Sequence, residues 1–172
     1  FTAVANSTAR AGTNSITVSQ IAKEQRSISG GFNNSTDSVN DGSAFTLSFA
    51  IGASNPATQT VQVTDTSVEG TAAAINAANL GIRAEIINTG AASGNYQIQL
   101  VGETGAEKAF TVSSSDNSMN FTSLQTATDA NLNVNGVNFT RGSNSINDIV
   151  TGVTLNLLST TTGAATLGVN QN

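Results

Sequence analysis

Apolar residues recur at every second position, in short runs, along most of this chain of 172 residues. That period gathers side chains on one face of an extended strand and scatters them around a helix, so it commits the chain to sheets. Ile16 and Val18 alternate within TNSITVSQI, residues 13–21. Phe45, Leu47 and Phe49 alternate with Thr46 and Ser48, and Val61 and Val63 resume the pattern beyond Pro56, the one proline, which predicts a hairpin. Ile82, Ala84 and Ile86 alternate with Arg83 and Glu85, and Tyr96, Ile98 and Leu100 follow a Gly/Ser turn at 88–94, predicting a second. Phe110 and Val112 mark a further strand after a loop at 102–108.

One stretch breaks the period. In TSVEGTAAAINAANLGIRAEI, residues 66–86, Thr66 and Glu69 have capping-box spacing, and Val68, Ala72 and Ile75 fall at i, i+4 and i+7. The spacing predicts a helix over about 67–80, capped by Thr66 and ended near Gly81. Residues 44–114 thus read β-β-α-β-β-β, with the helix laid on a small sheet to close its core.

The flanks are more polar. Lys23, Glu24 and Arg26 read as solvent-facing, and residues 27–43 and 113–120 read as Gly/Asn/Ser-rich crossings. Leu132 and Val134, then Val137 and Phe139, bracket Asn135-Gly136, a pair that tolerates the two positive φ angles of a type I′ hairpin turn. Ile146, Ile149 and Val150 are spaced as one helical turn, and Val153, Leu155 and Leu157 with Ala165, Leu167 and Val169 read as a final pair of strands. The fold class expected is mainly β with one short helix (β-rich, α+β), in two small sheet domains, one inserted into the other.

Chemistry is constrained by what is scarce. Six Lys+Arg against eleven Asp+Glu give a net charge of −5, and the basic residues are scattered, which disfavours nucleic acid. No apolar run approaches the length of a membrane span. With no Cys and no His the chain has no disulfide, no thiolate site and no imidazole base. Asp37 with Asp41, or Glu103 with Glu107, are the candidate paired acids, but they sit in turn-rich loops where acids are ordinarily solvated. Asp37, Asn40 and Asp41 lack EF-hand spacing, and Gly30-Gly31 has no P-loop context. The expectation is a non-enzyme with no catalytic, cofactor or metal site. Arg10, Lys23, Glu24, Arg26 and Arg141 are the candidates for contact between subunits, with a solvated face as the plainer reading. The chain begins at Phe1 without Met and reads as a piece of something longer.

Three stretches carry a family resemblance. ARAGTNSITVSQIAKEQ (9–25), TVQVTDTSVEGTAAAINAANLGIRAEIIN (60–88) with its Ile75-Asn76 pair, and LQTATDANLNVNGVNFTRGSNSINDIVTGVTLNLLS (124–159) resemble, in order, the bacterial flagellar filament cap proteins, also called hook-associated protein 2. In the third, Asp129-Ala130, Val134-Asn135-Gly136, Arg141, Ser143-Asn144 and Gly152-Val153-Thr154-Leu155 stand in the family's order. The family's long terminal helices have no counterpart here. The resemblance implies two head domains: a discontinuous one of residues 1–28 and 121–172 (D2-like) and an inserted one of 29–120 (D3-like). It further implies a non-enzymatic assembly role at the filament tip. The partners would be other copies of the chain, in a ring of five or six, and flagellin, after export through the flagellar type III pathway. Alternative readings are an adhesin-like or carbohydrate-binding module facing host glycans or mucin, or the outer domain of a flagellin or hook-junction protein.

Overall fold

Every strand pairing is antiparallel, which suits short alternating runs joined by polar turns and needs no long crossovers. The computed structural model describes residues 1–170. In chain order it forms β1 (Thr2–Ala5), β2 (Gly12–Gln20), β3 (Glu24–Ser29), β4 (Phe45–Ile51) and β5 (Ala57–Val63), then the helix α1 (Val68–Ala77). There follow β6 (Arg83–Asn88), β7 (Tyr96–Thr104), a 3-10 turn at Ala106–Lys108, β8 (Phe110–Ser114) and β9 (Phe121–Gln125). The chain continues with β10 (Ala130–Val134), β11 (Val137–Arg141), β12 (Ser145–Val150), β13 (Val153–Asn156) and β14 (Ala165–Val169). The fold is therefore mainly β with one short helix. No helix among the described residues is long and apolar enough to cross a membrane.

The chain divides into two compact units, Phe1–Lys23 with the chain from Thr128 onward, and Glu24–Ala127. The division falls at 23/24 and 127/128, not at the expected 28/29 and 120/121, because β3, whose second half reads as part of a crossing, pairs with both β7 and β9 and draws them into the second unit. β3 lies between β7 and β9 in a sheet of order β6-β7-β3-β9. Its inward residues are Gln25, Ser27 and Ser29, all buried, so hydrophobic alternation could not reveal it.

In this second unit, a three-stranded sheet of order β5-β4-β8 supplies Phe45, Leu47, Phe49, Val61, Val63 and Phe110 to a core shared with Ala84, Ile98 and Leu100 of the four-stranded sheet. The β4–β5 hairpin runs without a register slip from Phe45↔Val63 to Ile51↔Ala57. Helix α1 adds Val68, Ala72 and Ile75 to that core, Val68 and Ile75 contributing about 1.5–3 kcal/mol each on burial and the Ala72 methyl about 0.8 kcal/mol. The cap is Ser67, not Thr66: the Ser67 hydroxyl accepts the Gly70 N–H at 2.9 Å, while Thr66 is buried with its hydroxyl 2.8 Å from that of Ser38. Glu69 accordingly does not close a capping box; it accepts from the Ser35 hydroxyl. The cap shifts by one residue because Asp65 accepts both the N–H and the hydroxyl of Ser67 and fixes the entry to the helix.

The first unit pairs sheets of order β11-β10-β2-β14 and β1-β13-β12 over Ile16, Val18, Leu132, Val134, Ile146, Val153 and Leu155. Asn135 and Gly136 have φ of 53° and 88°, as a type I′ turn requires, and join β10 to β11. Two readings need correction. Residues 146–150 form strand, not a helical turn; the register slips between Ile146 and Val150, and that irregularity mimics helical spacing. β13 and β14 are strands but not partners, since β13 pairs with β1 and β12 while β14 pairs with β2.

Candidate functional site

In a chain so poor in charge, carboxamides make the directional bonds. One carboxamide offers a donor and an acceptor side by side, matching the C=O and N–H of a single residue. Asn76, at the end of α1, accepts the Ala84 N–H at 2.8 Å and donates to the Ala84 carbonyl at 3.0 Å. This bidentate bond docks the helix on β6 and occupies that edge of the sheet. Gln25 of β3 treats Phe110 of β8 in the same way, at 3.0 and 2.7 Å, tying the two sheets of the second unit together. Asn144 does so for Ala22, at 2.7 and 2.8 Å, in the first unit. The Ile75-Asn76 pair thus has two jobs: Ile75 is fully buried in the core while Asn76 clamps the neighbouring strand. Asn135 adds a related contact, its side-chain oxygen accepting the Ser15 N–H while its own N–H donates to the Ser15 carbonyl, both at 2.9 Å. Periodicity gave no signal for Gln25 or Asn144, because a clamp depends on which strand is opposite.

The candidate contact charges are divided between the two units. Glu24 and Arg26 belong to the second unit and pair with each other at 2.7 Å, partly buried, which corrects the solvent-facing reading. Arg141, in the first unit, pairs with Asp148 at 2.9 Å and lies over the Phe139 ring at 5.6 Å. That guanidinium holds the Asp148 carboxyl below its usual range. Arg83 pairs with Glu85 and Lys108 with Glu103. Arg10 and Lys23 are exposed, with no acid at ion-pair distance among the described residues. Lys23, between β2 and β3, anchors the chain through its backbone, exchanging hydrogen bonds with Thr128 at 2.9 and 3.0 Å. Arg10 borders an open hollow of about 420 Å³ whose apolar lining includes Val134, Val137, Phe139, Ile149 and Val150.

The loop acids serve local structure. Asp37 accepts from the backbone and side chain of Asn34, and Asp41 from the Ser43 N–H, so Asp37, Asn40 and Asp41 do not converge as ligands. Glu107 caps the N–H groups of Ala53 and Ser54 and accepts the Ser54 hydroxyl, which lowers its pKa, whereas Glu103 engages Lys108. Asp116 is held well below the carboxylate range by the side chains of Asn40 and Ser118. Among the described residues no three His, Cys, Asp or Glu side chains are grouped closely enough to hold a metal ion.

The comparisons with known proteins give this geometry a context. Residues 127–172 match the family described as Flagellar hook-associated protein 2 C-terminus. Flagellar hook-associated protein 2 of Salmonella typhimurium is 32% identical over 114 residues, 58% of this chain. The D2-D3 domains of the flagellar cap protein FliD from Escherichia coli superpose with a TM-score of 0.84 at 28% identity, over 99% of this chain and 94% of that one. Over both units the chain is similar in sequence and fold to flagellar cap proteins. It spans 24% of the Salmonella protein, and 55% of the E. coli FliD D1-D2-D3 structure, with which the TM-score is 0.86 at 27% identity. Asn144 falls inside the family match and Asn76 and Ala84 outside it, and the clamps are found in both units.

Proposed function

We propose that the chain forms the head of a flagellar filament cap, a non-enzymatic assembly part at the filament tip. Phe1–Lys23 with the chain from Thr128 would be its D2 domain and Glu24–Ala127 its D3 domain. The observation that carries the reading is the full-length likeness to the E. coli FliD D2-D3 domains, at 28% identity over both units. The physical chemistry agrees with it. A chain with no Cys and no His, held by burial and by carboxamide clamps, needs no disulfide or metal to refold after export through the flagellar type III pathway. In this reading the cap is a ring of identical chains, five or six, beneath which flagellin subunits fold and insert. Arg10 and Lys23, exposed and with no acid at ion-pair distance among the described residues, are the charges available for contact between neighbours, while Glu24, Arg26 and Arg141 are engaged within their own units. The adhesin and flagellin alternatives draw no support from the relatives.

The test is electron microscopy of filaments from cells lacking the protein, with flagellin assayed in the medium. Absent filaments with monomeric flagellin in the medium are expected, and restored filaments on complementation. Normal filaments without the protein would overturn the reading.

A further inference from the structure

Sheet edges are where a chain with few charges is open to pairing, and this molecule blocks most of its own. The edge strand β6 carries Arg83 and Glu85 and is clamped by Asn76. β8 is clamped at Phe110 by Gln25. β9 and β12 slip register, β12 also carrying Asp148 and β11 Arg141. β1 has four residues, and β14 has five with Gly168 in its interior. These are the devices that keep edges from pairing.

β5 has none of them. Its sequence ATQTVQV is uncharged, seven residues long and in unbroken register with β4. The direction of its backbone groups follows from the neighbouring strands. Phe110 N–H and C=O point away from β4, toward Gln25, so Thr111 and Ser113 face β4 and pair with Ala50 and Ser48. Backbone groups alternate sides, so Leu47, Phe49 and Ile51 face β5, bonding Val61, Gln59 and Ala57. Thr58, Thr60 and Gln62 are left with N–H and C=O directed outward, and their side chains are exposed.

We propose that this edge binds a second copy of itself, as an antiparallel β5–β5 pair about a two-fold axis at Thr60. The three outward residues are symmetric about Thr60: Thr60 exchanges two hydrogen bonds with its counterpart, and Thr58 exchanges two with Gln62 of the other copy at each end. Six bonds result, with a Thr–Thr pair at the centre, a favourable cross-strand combination. The partner's charge argues for a second copy: the chain carries −5, yet this strand brings no like charge to face another. Such a contact is isologous and closes as a dimer, so it is separate from any head-to-tail ring and does not depend on the cap reading. The edge is about 24 Å long, at ~3.4 Å per residue, and its contact falls below the ~1,000 Å² of a stable interface, so the dimer is weak.

Sedimentation equilibrium of the chain, from about 10 μM to 1 mM and in about 50 and 500 mM salt, tests this. Expected is a monomer–dimer equilibrium unchanged by salt, together with amide exchange at Thr58, Thr60 and Gln62 that slows as concentration rises. Thr60→Lys sets like charges opposite each other and weakens the dimer about tenfold or more at low salt, with the melting temperature kept. Thr111→Lys, on the clamped β8 edge, leaves it unchanged. A monomer at every concentration, a dimer indifferent to Thr60→Lys, or one dissolved by salt and so built on charged contacts would each overturn the proposal.

Discussion

Replacing Asn76 by Ala separates two accounts of the Ile75-Asn76 pair by the sign of one measurement. If Asn76 were merely an exposed residue near the end of α1, the change would stabilise the helix by up to about 0.7 kcal/mol, because Ala is the better helix former. If it clamps β6, the change removes the bonds to the N–H and C=O of Ala84, a residue only 6% exposed. Each stranded backbone group then costs about 1–3 kcal/mol, less where water reaches it. Since the carboxamide sits near the surface, the low end applies: about 2 kcal/mol for the two groups, of which about 1.3 kcal/mol remains after the propensity gain. For a unit of roughly this size that lowers Tm by about 5–10 °C. Thermal unfolding followed by circular dichroism reads the shift, and amide exchange at Ala84 localises it. Asn76→Asp keeps the acceptor for the Ala84 N–H and loses the donor, so it should fall between wild type and Ala. A variant Asn76→Ala as stable as wild type, or more so, refutes the clamp.

Three further outcomes follow from particular contacts. Ile75→Asp puts an unpaired carboxylate in the core of the second unit, a loss of several kcal/mol that should abolish its cooperative melting; an unchanged melt would mean that the stripe is not buried. Gly70→Ala should destabilise by about 1 kcal/mol in chemical denaturation despite the better helix former, because a Cβ there would lie 2.5 Å from the Asp65 carbonyl oxygen, and overpacking of ~2 kcal/mol exceeds the propensity gain of ~1. Asp65, Asp116, Asp148 and Glu107 all have lowered pKa values, so their stabilisation is present above the ordinary carboxylate range and is lost as pH falls through the folded values. Tm should therefore drop between about pH 4 and pH 2, and Asp116→Asn should flatten part of that drop; a Tm indifferent to pH in this window would contradict the hydrogen bonds assigned to these acids.

What the residues alone determined is what depends on near neighbours in the chain. Alternation at 45–49, 61–63 and 96–100 specifies strands because side chains two apart share a face, whatever the strand packs against. Asn135-Gly136 specifies its turn because only such residues adopt two positive φ angles readily, and the 68–75 stripe specifies a helix for the same local reason. Tertiary structure decided whatever depends on residues distant in sequence. β3 escaped notice because its buried face is Gln25, Ser27 and Ser29, polar groups that lie inside only because Phe110 and the Ile98 N–H, 85 and 69 residues away, satisfy Gln25 and Ser29. β12 looked helical because a slip against β13 displaced its apolar residues, and β14 found β2 instead of β13. The clamps, and the one long edge left without any, share that origin: an Asn or Gln looks the same in sequence whether it faces water or the end of a hydrogen-bond ladder, and only the opposing strand makes the difference.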